Sequence, residues 1–215
     1  MLHKEINDAI IRSQHCQRNW DLEQQIPQED LDLLITAATQ CPSKQNVAFY
    51  KLHFVTNREL IERIAEHTNG FIIQRQPEVK TTINTQVLAN LVVVFEEYTN
   101  ITKPLDQFRN EQTRHVAEKN FDENTLRAMD NDMKLAVGIA AGYLNLTASM
   151  MGYATGCCTC FIGGPIQKTL GLENRPLLLM GVGFKDTTRN RRIHQTDDFV
   201  FPSIKKQEIQ VNFVK

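Results

Sequence analysis

Apolar residues recur along this chain with two periods, and the switches between them divide it into elements. Residues 5–18 place Ile6, Ala9 and Ile10 at helical spacing. Pro27 and the polar run Gln28-Glu29-Asp30 open a second helix, with Leu31, Leu34, Ile35 and Ala38 on one face. Cys41-Pro42-Ser43 ends it, because proline cannot continue the hydrogen-bond ladder. Lys51 to Thr56 has the make-up of a strand. Asn57 to His67 predicts a third helix, with Asn57 as its cap and Gly70 as its stop. Leu91 to Phe95 is an unbroken apolar run of strand length, as an interior strand covered on both faces requires. Pro176 opens a second such run, LLLMGVGF. Residues 207–215 alternate like a C-terminal strand.

The longest apolar stretch runs from Asp130 to Gly164. Asp130, Asn131 and Asp132 suit a helix N-terminus, where they cap open N–H groups and meet the positive end of the dipole. Behind them Leu135, Ile139 and Leu146 fall on one side, and Val137, Leu144 and Met151 on another. A helix apolar all round is expected to be buried. Gly138 and Gly142 lie on a further face, continued by Asn145, Ser149 and Gly152. Each glycine costs roughly 1 kcal/mol of helix propensity, so a second helix, from this chain or another copy, is expected to pack closely there. Asn145, Thr147 and Ser149 interrupt the run, which does not match the roughly 20 apolar residues of a bilayer span. The stretch predicts a central helix ending in a glycine-rich turn against a ligand.

Long helices interleave with few strands, which implies a mixed α/β or α+β layer structure. Residues 98–125 are polar and lack an apolar period; segments of that length tend to be functional. They form a candidate lid, with Asp106, Arg109, His115 and Lys119 as possible substrate contacts. No internal repeat or linker divides the 215 residues, so one domain over 1–215 is expected. The net charge of −1 gives no global attraction to nucleic acid or membrane. A polar N-terminus and an odd count of five cysteines point to a reducing cytoplasm.

Three clusters carry candidate chemistry: Gln14-His15-Cys16-Gln17-Arg18, Pro42-Ser43-Lys44-Gln45-Asn46 and Arg191-Arg192. Each offers donors or positive charge of the kind that holds a phosphate. Gly163-Gly164 would let backbone N–H groups approach a flat ligand. Cys157, Cys158 and Cys160, with Cys16, Cys41 and His15, invite a metal reading. The C-C-x-C spacing is not the paired one that tetrahedral zinc prefers, so no metal is expected. Small buried residues are the simpler account of the cysteines, and a redox role is the other.

In this order the stretches resemble the FMN-dependent nitroreductase family. The similarity starts at His15-Cys16-Gln17-Arg18-Asn19-Trp20-Asp21 and continues through Ile26-Pro27-Gln28-Glu29. It takes in Leu33-Leu34, Ala37-Ala38 and the Pro-Ser-x-x-Asn run ending at Asn46. The central helix, Ile162-Gly163-Gly164, Leu170-Gly171-Leu172 and a strand ending Gly-x-Gly complete it. Two places differ: the family often has Arg-x-Ser at Gln14-His15-Cys16, and Gln-Pro-Trp at Ala48-Phe49-Tyr50.

The resemblance implies an α+β fold, a three-layer α/β/α sandwich with a mixed, mainly antiparallel sheet and a long central helix. It also implies a domain-crossed homodimer with FMN at the interface. The phosphate would fall to Gln14, His15, Cys16 and Arg18 with Arg191 or Arg192, and Arg12 or Arg192 would compensate for the missing arginine. Pro42, Ser43 and Asn46 would approach the flavin from the partner. Asn84 or Gln86 would reach the ring, and Phe161, Ile162, Gly163 and Gly164 would line its edge, with the Gly163 N–H near N5. The implied activity is NADH- or NADPH-driven, ping-pong reduction of nitroaromatics, quinones or similar acceptors. It needs no side-chain nucleophile, since the cofactor carries the chemistry. The alternatives are a relative with dehalogenase, flavin-fragmenting or dehydrogenase chemistry, a flavin-binding protein without turnover, and a zinc-bound structural module.

Overall fold

A computed structural model describes residues 2–70, 72–75, 78–98, 123–194, 200–201 and 204–214. Most of the candidate lid, including Asp106, Arg109, His115 and Lys119, lies outside them. The first helix, α1, spans Leu2–Ser13 and buries Ala9, while Ile10 is exposed. It stops well short of Arg18 because the chain turns to follow the sheet, where Gln17 N–H donates to Thr155 O at 2.7 Å. Helix α2 (Gln28–Thr39) begins after Pro27 and buries Leu34 and Ala38. Strand β1 (Tyr50–Val55) and helix α3 (Arg58–Glu66) follow. Asn57 caps α3 as expected, its side chain accepting from Leu60 N–H at 3.0 Å. Gly70 is not the stop, for the C-cap is His67. A side chain at Gly70 would instead overlap Thr82.

Strands β2 (Ile72–Arg75) and β3 (Glu78–Thr81) pair as a hairpin that the hydrophobic pattern did not announce. Strand β4 (Leu91–Glu97), helix α4 (Glu123–Met150), strand β5 (Ala154–Cys158), helix α5 (Gly163–Leu170) and strand β6 (Pro176–Gly183) complete the elements. The main sheet has the order β1-β4-β6-β5, and every neighbouring pair is antiparallel. The parallel pairing that a mixed sheet implies is absent among the described residues.

The layers are the three expected. Val92, Val94 and Leu179 pack on Ile61 and Ile64 of α3 and Ile166 of α5. Leu91, Val93, Phe95, Met180 and Val182 face Leu34 and Ala38 of α2 and Val137, Ala140 and Leu144 of α4. Burial on both faces explains why β4 reads as a solid apolar run, although this sheet is antiparallel. The face of β6 toward α3 carries glycines. A Cβ at Gly181 would overlap the Gln86 carbonyl, and one at Gly183 the Asn90 side chain. The backbone of residues 85–90, which opens with a 3₁₀ turn at Thr85–Val87, lies there instead of side chains.

Helix α4 corrects the sequence reading in two ways. Asp130, Asn131 and Asp132 lie inside the helix rather than at its start. Asp130 pairs with Lys134 at 2.5 Å, one turn on, and Asp132 with Lys44 at 2.6 Å. Nor is the helix buried all round in the single chain. Leu135 is 65% exposed, Tyr143 49% and Met150 55%, and a Cβ at Gly138 or Gly142 would meet nothing within 4 Å. Residues 204–214 form no strand within the chain, and their apolar side chains Ile209, Val211 and Phe213 are exposed.

One carboxylate is sealed in the sheet. Glu96, 1% exposed, meets His53 Nε2 at 2.6 Å and accepts from Asn174 N–H at 2.6 Å. Burial pushes its pKa up, but the Asn174 N–H, the His53 hydrogen bond and the nearby positive charge of Lys51 together hold it below the ordinary value. A folded-state pKa below the unfolded one stabilises the fold above the unfolded pKa of about 4.3 and loses that contribution as pH falls through the folded pKa. Glu96→Gln is therefore expected to destabilise the protein by about 1–3 kcal/mol near neutrality. The gap from wild type should close in acid, as measured by chemical denaturation from pH 7 down through the carboxylate range.

Candidate active site

The end of α1, the N-terminus of β5 and the segment after β6 enclose a cavity of about 170 Å³. Its wall includes Arg12, His15, Gln17, Thr155, Lys185 and Arg191. The elements converge through main-chain bonds. Gln17 N–H holds Thr155 O, and Asp186 N–H donates to Asn19 O at 3.1 Å. Arg12 is anchored to Ser149 O at 3.1 Å, bringing α1 onto α4. Three cationic side chains and an imidazole therefore surround one small cavity, whose wall is basic.

Arg18 stands beside this cavity in an unusual state. Its Nε is buried with no hydrogen-bond partner. The only hydrogen bond of its side chain among the described residues is a long one of 3.5 Å from Nη1 to Cys16 O. No carboxylate pairs with it among the described residues. Burial lowers its pKa and the Arg191 cation lowers it further, with Cys16 acting the other way. A buried guanidinium facing a second cation is short of negative charge, and a phosphate would supply it.

Of the residues expected at the phosphate, His15 and Arg191 line the cavity and Arg18 lies next to it. Gln14 is exposed, and Cys16 is not part of the wall. Arg192 is turned to the Phe201 carbonyl, to which its Nε donates at 2.8 Å. Sequence reasoning named Gln17 only as a member of its cluster and missed Lys185. The isolated bridge between Trp20 and Lys185 carries the lysine to the site, and its only sequence signal was a basic residue just after the Gly-x-Gly strand.

The other expected groups fall elsewhere in the single chain. Pro42, Ser43 and Asn46 line a separate, larger cavity of about 960 Å³ with Tyr50 and Tyr143. Ser43 Oγ donates to Val47 O at 2.9 Å, and Asn46 adopts a left-handed φ of 55°, which asparagine tolerates better than most residues. At the Ala48-Phe49-Tyr50 departure only Ala48 is exposed. Phe49 packs into the core with Val47, Met133 and Ala136. Asn84 is engaged locally: Nδ2 donates to Cys158 Sγ at 3.1 Å and Oδ1 accepts from Gln86 N–H at 3.3 Å. Gln86 itself is buried under the sheet.

The glycine-rich turn belongs to a helix. Ile162 is the N-cap of α5, and Gly163 and Gly164 are its first residues. Gly164 is exposed, a Cβ there would meet nothing within 4 Å, and the first N–H groups of a helix have no partner within it. Phe161 bridges to Thr68, and Ile162 N–H donates to His67 O at 2.8 Å, which fixes the turn against α3. All five cysteines are unpaired. Burial pushes the Cys158 thiol up to about 11, so it is neutral at physiological pH. Among the described residues no three His, Cys, Asp or Glu side chains are grouped to hold a metal. No described helix is long and apolar enough to cross a membrane.

These features have counterparts. The model of the Nitroreductase family matches residues 11–184, and the chain belongs to that family. The solved nitroreductase family protein of Streptococcus pneumoniae superposes with a TM-score of 0.62 at 19% identity, covering 95% of this chain and 96% of its own. A Staphylococcus epidermidis protein named as an NAD(P)H:FMN oxidoreductase gives 0.65 at 19% identity, with 94% and 92% covered. A protein of Exiguobacterium sibiricum, named as a nitroreductase and solved in complex with FMN, gives 0.61 at 16%, with 92% and 91% covered. At such identities the structures share a fold. No curated protein matches the chain.

The cationic cavity makes a direct prediction. Inorganic phosphate should raise the melting temperature; at ten times its Kd it adds about 1.4 kcal/mol of stability. Arg191→Gln and Lys185→Gln should each blunt that rise in thermal melts with and without phosphate.

Proposed function

We propose that this chain is an FMN-dependent oxidoreductase that reduces nitroaromatics, quinones or similar small conjugated acceptors with electrons from NADH or NADPH. The observation that carries this reading is the charge-starved Arg18, with its orphaned Nε, beside the basic cavity. A cofactor ending in phosphate meets both needs. The flavin oxidoreductase name of one structural neighbour and the FMN bound in another point the same way. When bound, FMN would supply the redox chemistry of a ping-pong exchange between the nicotinamide donor and the acceptor.

The chain's own part is to bind, orient and polarise. His15, Arg18, Lys185 and Arg191 take the phosphate, with Arg12 in the place of the arginine missing at Gln14. The open N–H groups of Gly163 and Gly164 take the ring edge, where the positive end of α5 favours negative charge. Pro42, Ser43 and Asn46 line a different cavity from the phosphate residues, so they serve the flavin of a partner subunit. A homodimer would also cover the exposed stripe of α4. It would use the outer edge of β1, unpaired among the described residues, and the exposed residues 204–214. Five unpaired cysteines suit the reducing cytoplasm.

An absorbance spectrum of the protein loaded with FMN, taken before and after anaerobic NADPH or NADH, tests the proposal. Flavin bands that bleach with either donor are expected. Bands that bleach only with dithionite would favour a specialised relative with another electron donor. Protein that takes up no FMN would sink the reading.

A further inference from the structure

Arg192 and Ile193 meet Val200 and Phe201 next to Arg18. Phe201 N–H donates to Arg192 O at 2.6 Å, Arg192 Nε returns a bond to Phe201 O at 2.8 Å, and Ile193 bridges Val200. This closure presses the Phe201 ring, 4% exposed, against the Arg18 guanidinium, whose Cζ lies 4.2 Å from the ring centroid. The ring also stacks on His194, with centroids 5.7 Å apart and planes 26° from parallel. His194 is buried in turn, and its Nε2 donates to Ile83 O at 3.0 Å. Asn19 secures the start of the segment by donating to Asn190 O at 2.9 Å and to Ile193 O at 2.8 Å.

We propose that Phe201 is a positioning residue that holds Arg18 in the orientation needed to bind the cofactor phosphate; this rests on the FMN reading above. An arginine that must grip an anion has to be oriented without being neutralised. A carboxylate would orient it, but would also offset its charge and compete with the phosphate for its N–H groups. An aromatic face attracts the cation through the ring quadrupole and leaves the edge of the guanidinium available. Arg18 has that arrangement: a ring on its face, no carboxylate among the described residues and an unused Nε. The two hydrogen bonds between Arg192 and Phe201, one main-chain and one from the Arg192 side chain, hold the ring in place, so residues late in the sequence set the geometry of one near its start.

The test is a double-mutant cycle on the FMN dissociation constant, read by flavin fluorescence in full-length protein. Phe201→Leu keeps an apolar side chain but removes the ring. It is expected to weaken FMN binding about tenfold, a factor equal to about 1.4 kcal/mol. Phe201→Trp should retain binding. In an Arg18→Met background, Phe201→Leu should have no further effect, because the residue through which it acts is gone. Melting curves without FMN check that each variant is folded. A reading that needs no cofactor is the Arg18 side-chain N–H resonance, which the ring should shield in wild type but not in Phe201→Leu.

Equal FMN affinity in wild type and Phe201→Leu would overturn the proposal while leaving the FMN reading intact. The same fold-loss in the Arg18→Met background as in wild type would also overturn it, as would failure of tryptophan to rescue binding. Wild type that does not bind FMN would remove the cofactor reading and this role with it, even if the Arg18 resonance were shielded.

Discussion

The Gln86 backbone lies directly on Gly181 of β6 and the Asn90 side chain on Gly183, because neither glycine presents a side chain there. Much of the site hangs from these contacts. Trp20 Nε1 donates to Thr85 O at 2.9 Å, and Asn90 Nδ2 donates to Asp21 O at 2.8 Å and Gln24 O at 2.9 Å. Asn90 Oδ1 meanwhile accepts from Phe184 N–H at 3.0 Å, just beyond the end of β6. One side chain therefore ties the segment carrying Arg18 to the segment leading to Lys185 and Arg191. A methyl group on either glycine would lift the turn, and the basic residues would lose their common reference.

The parts of the fold legible in the sequence are those where one force dominates. The runs at Leu91 and Pro176 are buried on both faces and show as unbroken apolar strands. Leu34 and Ala38 mark the inner face of α2, and Asn57 caps α3. The misses come where tertiary contacts override local preference. Helix α1 ends early because Gln17 bonds to β5. Helix α4 begins before the acidic cluster that resembled its cap, since Asp130 and Asp132 are satisfied by Lys134 and Lys44. Strand β5 is rich in small residues and cysteine, without the alternation that identifies a strand. It lies hidden between a helix and a glycine turn.

The site was legible by another route. No basic residue near the cavity is persuasive alone; their order along the chain, set beside the glycine pair and the Pro-Ser-x-x-Asn run, carried the resemblance to the family. What order could not convey is charge balance. Arg12, Lys185 and Arg191 surround one cavity, and Arg18 sits buried without a counter-ion among the described residues. Such a cluster costs stability in the free chain, a cost that the proposed phosphate would offset on binding. Lys185 entered through an isolated bridge to Trp20, a pairing that neither segment announces.

The apolar side of α4 has a consequence for the life of the chain before it does any chemistry. Leu135, Ile139, Tyr143 and Met150 stand in water on a finished fold, so completing the tertiary structure does not complete the burial. Were the proposed homodimer to cover that stripe, a newly made molecule would carry it bare until it met a copy of itself, and the wait would lengthen as copies became scarcer. Dilution would then be a stress in its own right, beside heat and acid.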